Sequence, residues 1–86
     1  MDYEKQAALL KALAHPVRLK IVEGLLSHEC NVNKMVGNLN IPQSTASQHL
    51  TVLKSQGILQ IRKEGVKTCY RVVDEKVAQL IRVLQG

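Results

Sequence analysis

The stretch from Ile41 to Leu53, IPQSTASQHLTVL, constrains the fold of this 86-residue chain more than any other. Pro42 belongs in the first turn of a helix, where a missing N–H costs nothing. Ala46, Leu50 and Leu53 recur at helical spacing and predict an inward face. Gln43, Ser44, Thr45, Ser47 and Gln48 then point outward, while His49 shares the helix but leans toward its base. Amide and hydroxyl side chains both donate and accept hydrogen bonds. A row of them suits the DNA major groove, which admits a helix and shows a distinct donor and acceptor pattern for every base pair. The same pattern also suits an ordinary surface helix with a polar face, and the flanking sequence decides between the two.

Length sets a single domain over residues 1–86, one that buries a modest share of its unfolded surface and benefits from dimerisation. Phe and Trp are absent and Tyr3 and Tyr70 are the only aromatics, so the core is built from Leu, Ile, Val and Ala. This excludes single-strand recognition by base stacking, which needs aromatic platforms. The net charge of +5 is lopsided: residues 44–86 carry seven Lys and Arg against three Asp and Glu. A basic half attracts polyanions, although the charge alone would equally serve solubility. No apolar run reaches membrane-spanning length and the N-terminus lacks a signal-peptide pattern, so a cytoplasmic protein without membrane contact is expected.

Asp2 to Ala14 favours a helix, with an apolar surface wider than one packing stripe. His15-Pro16 ends it and starts a second helix, about 16–27, that is apolar nearly all round and reads as the central core helix. A brief helix follows, from about Asn33 to Leu39. Asn40 tolerates the left-handed conformation of a tight turn, and the 42–54 helix comes directly after, stopping at Gly57. From Ile58 the period changes to two: Leu59 and Ile61 alternate with Gln60 and Arg62, and beyond Glu64-Gly65 the residues Tyr70 and Val72 alternate with Cys69, Arg71 and Val73. The hairpin loop concentrates Arg62, Lys63 and Lys67. Asp74 caps a last helix, in which Val77, Leu80, Ile81 and Leu84 are expected to form one apolar stripe.

This order is mainly α with a β-hairpin wing, α-α-α-α-β-β-α, the pattern of a winged helix-turn-helix domain with its helix-turn-helix at about 33–56 and its wing at about 58–73. Three segments, LKALAHPVRLKIVEGLL, IPQSTASQHLTVLKSQGIL and KEGVKTCYRVVD, resemble the arsenical and metal-responsive ArsR/SmtB repressors over nearly the whole chain. The resemblance implies a homodimer through the first and last helices, binding a roughly palindromic operator in double-stranded DNA. It puts Gln43, Ser44, Thr45, Ser47 and Gln48 at the DNA, with His49 on the same helix but toward its base, and lays the wing from Arg62 to Lys67 along the phosphates. Arg18 and Lys54 join Arg62, Lys63 and Lys67 as candidates for phosphate neutralisation.

The family's metal sites do not carry over. Its Cys-Val-Cys set matches Asn31, Val32 and Asn33 here, and amides cannot replace thiolates. A second family site begins at the position of Asp74 but continues onto Lys76, a cation, so Asp74 is read as a cap and no metal or cofactor is expected. His28 and Cys30 form an H-x-C pair, two ligands of a novel site if Cys69 comes close, and a solvated loop histidine beside a packed cysteine otherwise. The two cysteines, Cys30 and Cys69, are small apolar packing groups by default. They become a thiol switch if the segment before the third helix pairs with the last wing strand and brings them within bridging distance. An enzyme is excluded for want of an acidic pair, a phosphate loop or clustered His. A winged-helix interaction module is the remaining alternative, and it would favour aromatic or Leu anchors over the hydrogen-bonding face of the 42–54 helix.

Overall fold

A computed structural model describes residues 1–28 and 32–86, with their side chains except those of Val32, Asn33, Met35 and Lys67. Five helices and one hairpin follow in the order α1 (Tyr3–Leu13), α2 (Pro16–Ser27), α3 (Val32–Leu39), α4 (Gln43–Ser55), β1 (Leu59–Glu64), β2 (Lys67–Val72) and α5 (Glu75–Gln85).

Local chemistry sets the boundaries. Asp2 caps α1 by accepting from the Lys5 N–H at 3.1 Å, and Asp74 caps α5 by accepting from the N–H groups of Lys76 and Val77 at 2.9 and 3.3 Å. His15 caps α2 through Nδ1, which accepts from the Val17 N–H at 3.1 Å, with Pro16 in the first turn. Asn40 takes a φ of 56°, the left-handed turn between α3 and α4. Pro42 stands just outside α4 as its N-cap, its carbonyl accepting from the Ala46 N–H at 3.0 Å.

α4 ends in a Schellman motif. Gly57, at φ 74°, donates to the Lys54 carbonyl at 2.9 Å and Ile58 donates to the Leu53 carbonyl at 3.1 Å. The apolar contact typical of that motif is supplied by Leu53 and Ile58, both fully buried in the core cluster. The turn thus both stops the helix and launches β1.

β1 and β2 pair antiparallel with Leu59 facing Val72, Ile61 facing Tyr70, Arg62 facing Cys69 and Glu64 facing Lys67. Gly65 and Val66 make the two-residue turn, and only Gly65 has a positive φ, 63°, as a type II′ turn requires.

α2 packs against each of the other four helices and against β2. Its Ile21, Val22 and Leu25 join Leu53, Ile58 and Val77 as the most deeply buried side chains. Each such burial contributes about 1.5–3 kcal/mol. α5 departs from the single stripe expected of it. Val77, Ala78 and Ile81 face the core, but Leu80 is 37% exposed and Val83 and Leu84 are 75% and 69% exposed. The face that meets the core is the narrow strip formed by Val77, Ala78 and Ile81, and Leu80, Val83 and Leu84 lie on its flanks. α1 likewise buries Leu9, Ala12 and Leu13 and leaves Tyr3 and Leu10 outside.

Candidate nucleic-acid interface

α4 divides into two faces. Ala46, His49, Leu50 and Leu53 are buried, whereas Gln43, Ser44, Ser47 and Gln48 are exposed and Thr45 is half-buried. Pro42 makes no side-chain cap at the N-terminus of α4, the positive end of the helix dipole. Thr51 extends the outer row and was missed in the sequence. It is exposed, and its hydroxyl donates to the Ser47 carbonyl at 2.9 Å, so its oxygen remains an acceptor on the same face. The signal was present, because 44, 47, 48 and 51 follow the three-and-four helical spacing.

The cations fall into two groups. Lys54 is exposed in the last turn of α4, and Arg62 and Lys63 are exposed on β1. The Nε of Arg62 lies 3.4 Å from Oε1 of Glu64, a solvent-facing pair of little energetic weight that a phosphate can displace. Arg18 is turned inward: its Nε–H donates to Nδ1 of His49 at 3.1 Å and Nη1 donates to the Ala12 carbonyl at 3.3 Å. His49 is therefore an inner-face residue, 9% exposed. Burial foremost, then the charges of His15 and Arg18, holds its pKa below the usual 6.5.

Cys69 is buried and disulfide-bonded. It sits on the hairpin face opposite Ile61 and Tyr70 and is nonetheless covered. Cys30 and Asn31, together with the side chains of Val32, Asn33 and Lys67, lie outside the described residues. Among the described residues no three His, Cys, Asp or Glu side chains gather as a metal ion would need, and no helix is long and apolar enough to cross a membrane.

A helix-turn-helix whose second helix shows an unbroken hydrogen-bonding face, followed by a cationic hairpin, defines a winged helix-turn-helix domain. Residues 15–60 match the family described as bacterial regulatory protein, arsR family, and the chain belongs to that family of transcriptional regulators, which are not enzymes. It is 40% identical to the transcriptional repressor PagR of Bacillus anthracis over 98% of this chain and 85% of that protein. The crystal structure of PagR superimposes with a TM-score of 0.86, covering 98% of this chain and 97% of PagR. HlyU from Vibrio cholerae N16961 superimposes with a TM-score of 0.87 at 35% identity, over 98% and 94% of the two chains. Mb0332 from Mycobacterium bovis, solved as a homodimeric winged helix-turn-helix DNA-binding domain, gives 0.84 at 35% identity over 96% and 77%.

Proposed function

We propose that the protein is a homodimeric, operator-specific transcriptional repressor acting in the cytoplasm by occupying promoter DNA. The observation that carries this reading is the outer face of α4, where Gln43, Ser44, Ser47 and Gln48 are exposed on a helix whose opposite face is locked into the core. Those side chains, with Thr45 at their margin, read base edges in the major groove. Lys54, Arg62, Lys63 and Lys67 neutralise phosphates. PagR and the Mycobacterium domain support repression and dimerisation by analogy. The uncovered Tyr3 and Leu10 of α1 and Leu80, Val83 and Leu84 of α5 supply the apolar surface that a second copy would cover.

The disulfide at Cys69 supports a thiol-linked response. Two-electron reduction by a low-molecular-weight thiol releases β2 from its cross-link and changes how the wing sits against the DNA. Footprinting of the purified protein on its own upstream region tests the main reading. Two protected segments centred about 34 Å apart, one helical turn, are expected for a dimer on a palindrome. Uniform protection without boundaries would contradict it.

A further inference from the structure

His49 is the one buried polar side chain among the described residues, and it lies on the inner face of the helix whose outer face is the candidate DNA reader. Arg has donors only, so the Nδ1 that receives Arg18 Nε–H at 3.1 Å must carry a lone pair. The His49 ring is thereby fixed as the neutral Nε2–H tautomer. The neighbouring ring of His15 is under the same constraint, since its Nδ1 accepts from the Val17 N–H at 3.1 Å. The two rings stand 4.5 Å apart at 52°. Arg18 is anchored from a third side by the Ala12 carbonyl of α1. One corner thus joins the end of α1, the start of α2 and the middle of α4 through hydrogen bonds, and both of its rings need an unprotonated Nδ1.

We propose that His49, acting through Arg18, is a positioning residue for DNA recognition, holding α4 in its reading pose only while the imidazole is neutral. Protonation at Nδ1 removes the acceptor, sets an N–H against the guanidinium N–H, and adds a cation beside Arg18 and His15. α2 faces the ring with His15 and Arg18, both cationic when charged, and those two weigh on its titration. α1 brings a backbone carbonyl to the corner, and its Lys11 is exposed. β1, the third element packed on α4, carries Arg62, Lys63 and Glu64 in exposed positions, as Lys54 is on α4 itself. Acidification therefore loosens the inner attachment of α4 and lowers operator specificity. Non-specific binding, which depends on phosphate charge, is spared.

The inference rests on the operator-binding reading above, so its test has one arm with DNA and one without. With DNA, fluorescence anisotropy at constant ionic strength measures affinity for the upstream duplex and for a shuffled duplex, from about pH 8 to about pH 5.5. The comparison is between the wild-type protein and His49→Asn, whose Oδ1 stands near the place of Nδ1 and does not titrate. The wild-type specificity ratio is expected to fall about tenfold or more, while that of His49→Asn changes less than about threefold. Parallel falls in the two proteins would overturn the proposal.

Without DNA, the imidazole nitrogen shifts and the amide exchange rates of α4 are followed in the wild-type protein. The expected result is an unprotonated His49 Nδ1 at neutral pH, with α4 exchange accelerating as that ring takes up a proton. An Nδ1–H tautomer, or exchange indifferent to the ring's protonation, would overturn it even if His49→Asn failed to fold. Loss of operator preference at every pH together with the expected ring behaviour would count against the DNA reading and not against the attachment.

Discussion

Arg62 faces Cys69 directly across the hairpin, so a wing cation and a disulfide-bonded sulfur share one rung of the ladder. On the thiol-linked reading proposed above, reduction at Cys69 acts on the strand paired with the one that presents Arg62 and Lys63. Operator affinity of the wild-type protein is therefore expected to differ between reducing and oxidising buffer, and that difference is expected to vanish in Cys69→Ser. Affinity insensitive to redox state in both proteins would make the cysteine a packing group.

The exposed amide and hydroxyl groups of α4 are expected to divide specificity among themselves. Gln43→Ala or Ser47→Ala should each reduce discrimination between operator and shuffled DNA by about 1–3 kcal/mol, the value of a good hydrogen-bonded pairing with a base edge. Competition binding measures this directly. Equal weakening on both DNAs would reassign the residue to backbone positioning.

Lys63 is exposed and lies between the Arg62–Glu64 ion-pair partners on β1. Lys63→Ala is expected to weaken binding to every duplex and to lower the slope of log affinity against log salt by about 1. A slope identical to that of the wild-type protein would take this side chain off the phosphate path.

Stability should fall in mild acid because of His49. Its folded-state pKa is lowered from 6.5, chiefly by burial and then by His15 and Arg18, so the unfolded chain binds a proton that the folded chain refuses. Stability therefore rises with pH across this window. The contribution is whole above about pH 6.5, and it is lost progressively as the pH falls from there toward the lowered folded value. Thermal unfolding followed by circular dichroism should show a melting temperature that declines below about pH 6.5 in the wild-type protein, and a flatter profile in His49→Asn. Superimposable profiles would mean that His49 does not carry the effect.

The parts of this fold that follow local rules were legible in the sequence. Asn40 marked the turn, Gly57 the stop, Asp74 the last cap, and the period of two the hairpin, since each depends on residues within a few positions. The outer row of α4 was legible for the same reason, and the spacing that marks it extends to Thr51. What escaped depends on the packing of distant segments. Arg18 and His49 are 31 residues apart, and no periodicity announces that a surface-type cation will turn inward to meet a buried ring. The split face of α5 was hidden because Leu80 and Leu84 have the chemistry of core residues, and their exposure is decided by how narrow the contact with the rest of the domain is.

Whether α4 reads sequence is decided by the ratio of affinities for the upstream duplex and a shuffled duplex at physiological salt and neutral pH. A preference of about 1,000-fold or more for the upstream DNA is expected. Equal affinity for the two duplexes, with the same salt dependence, would contradict it.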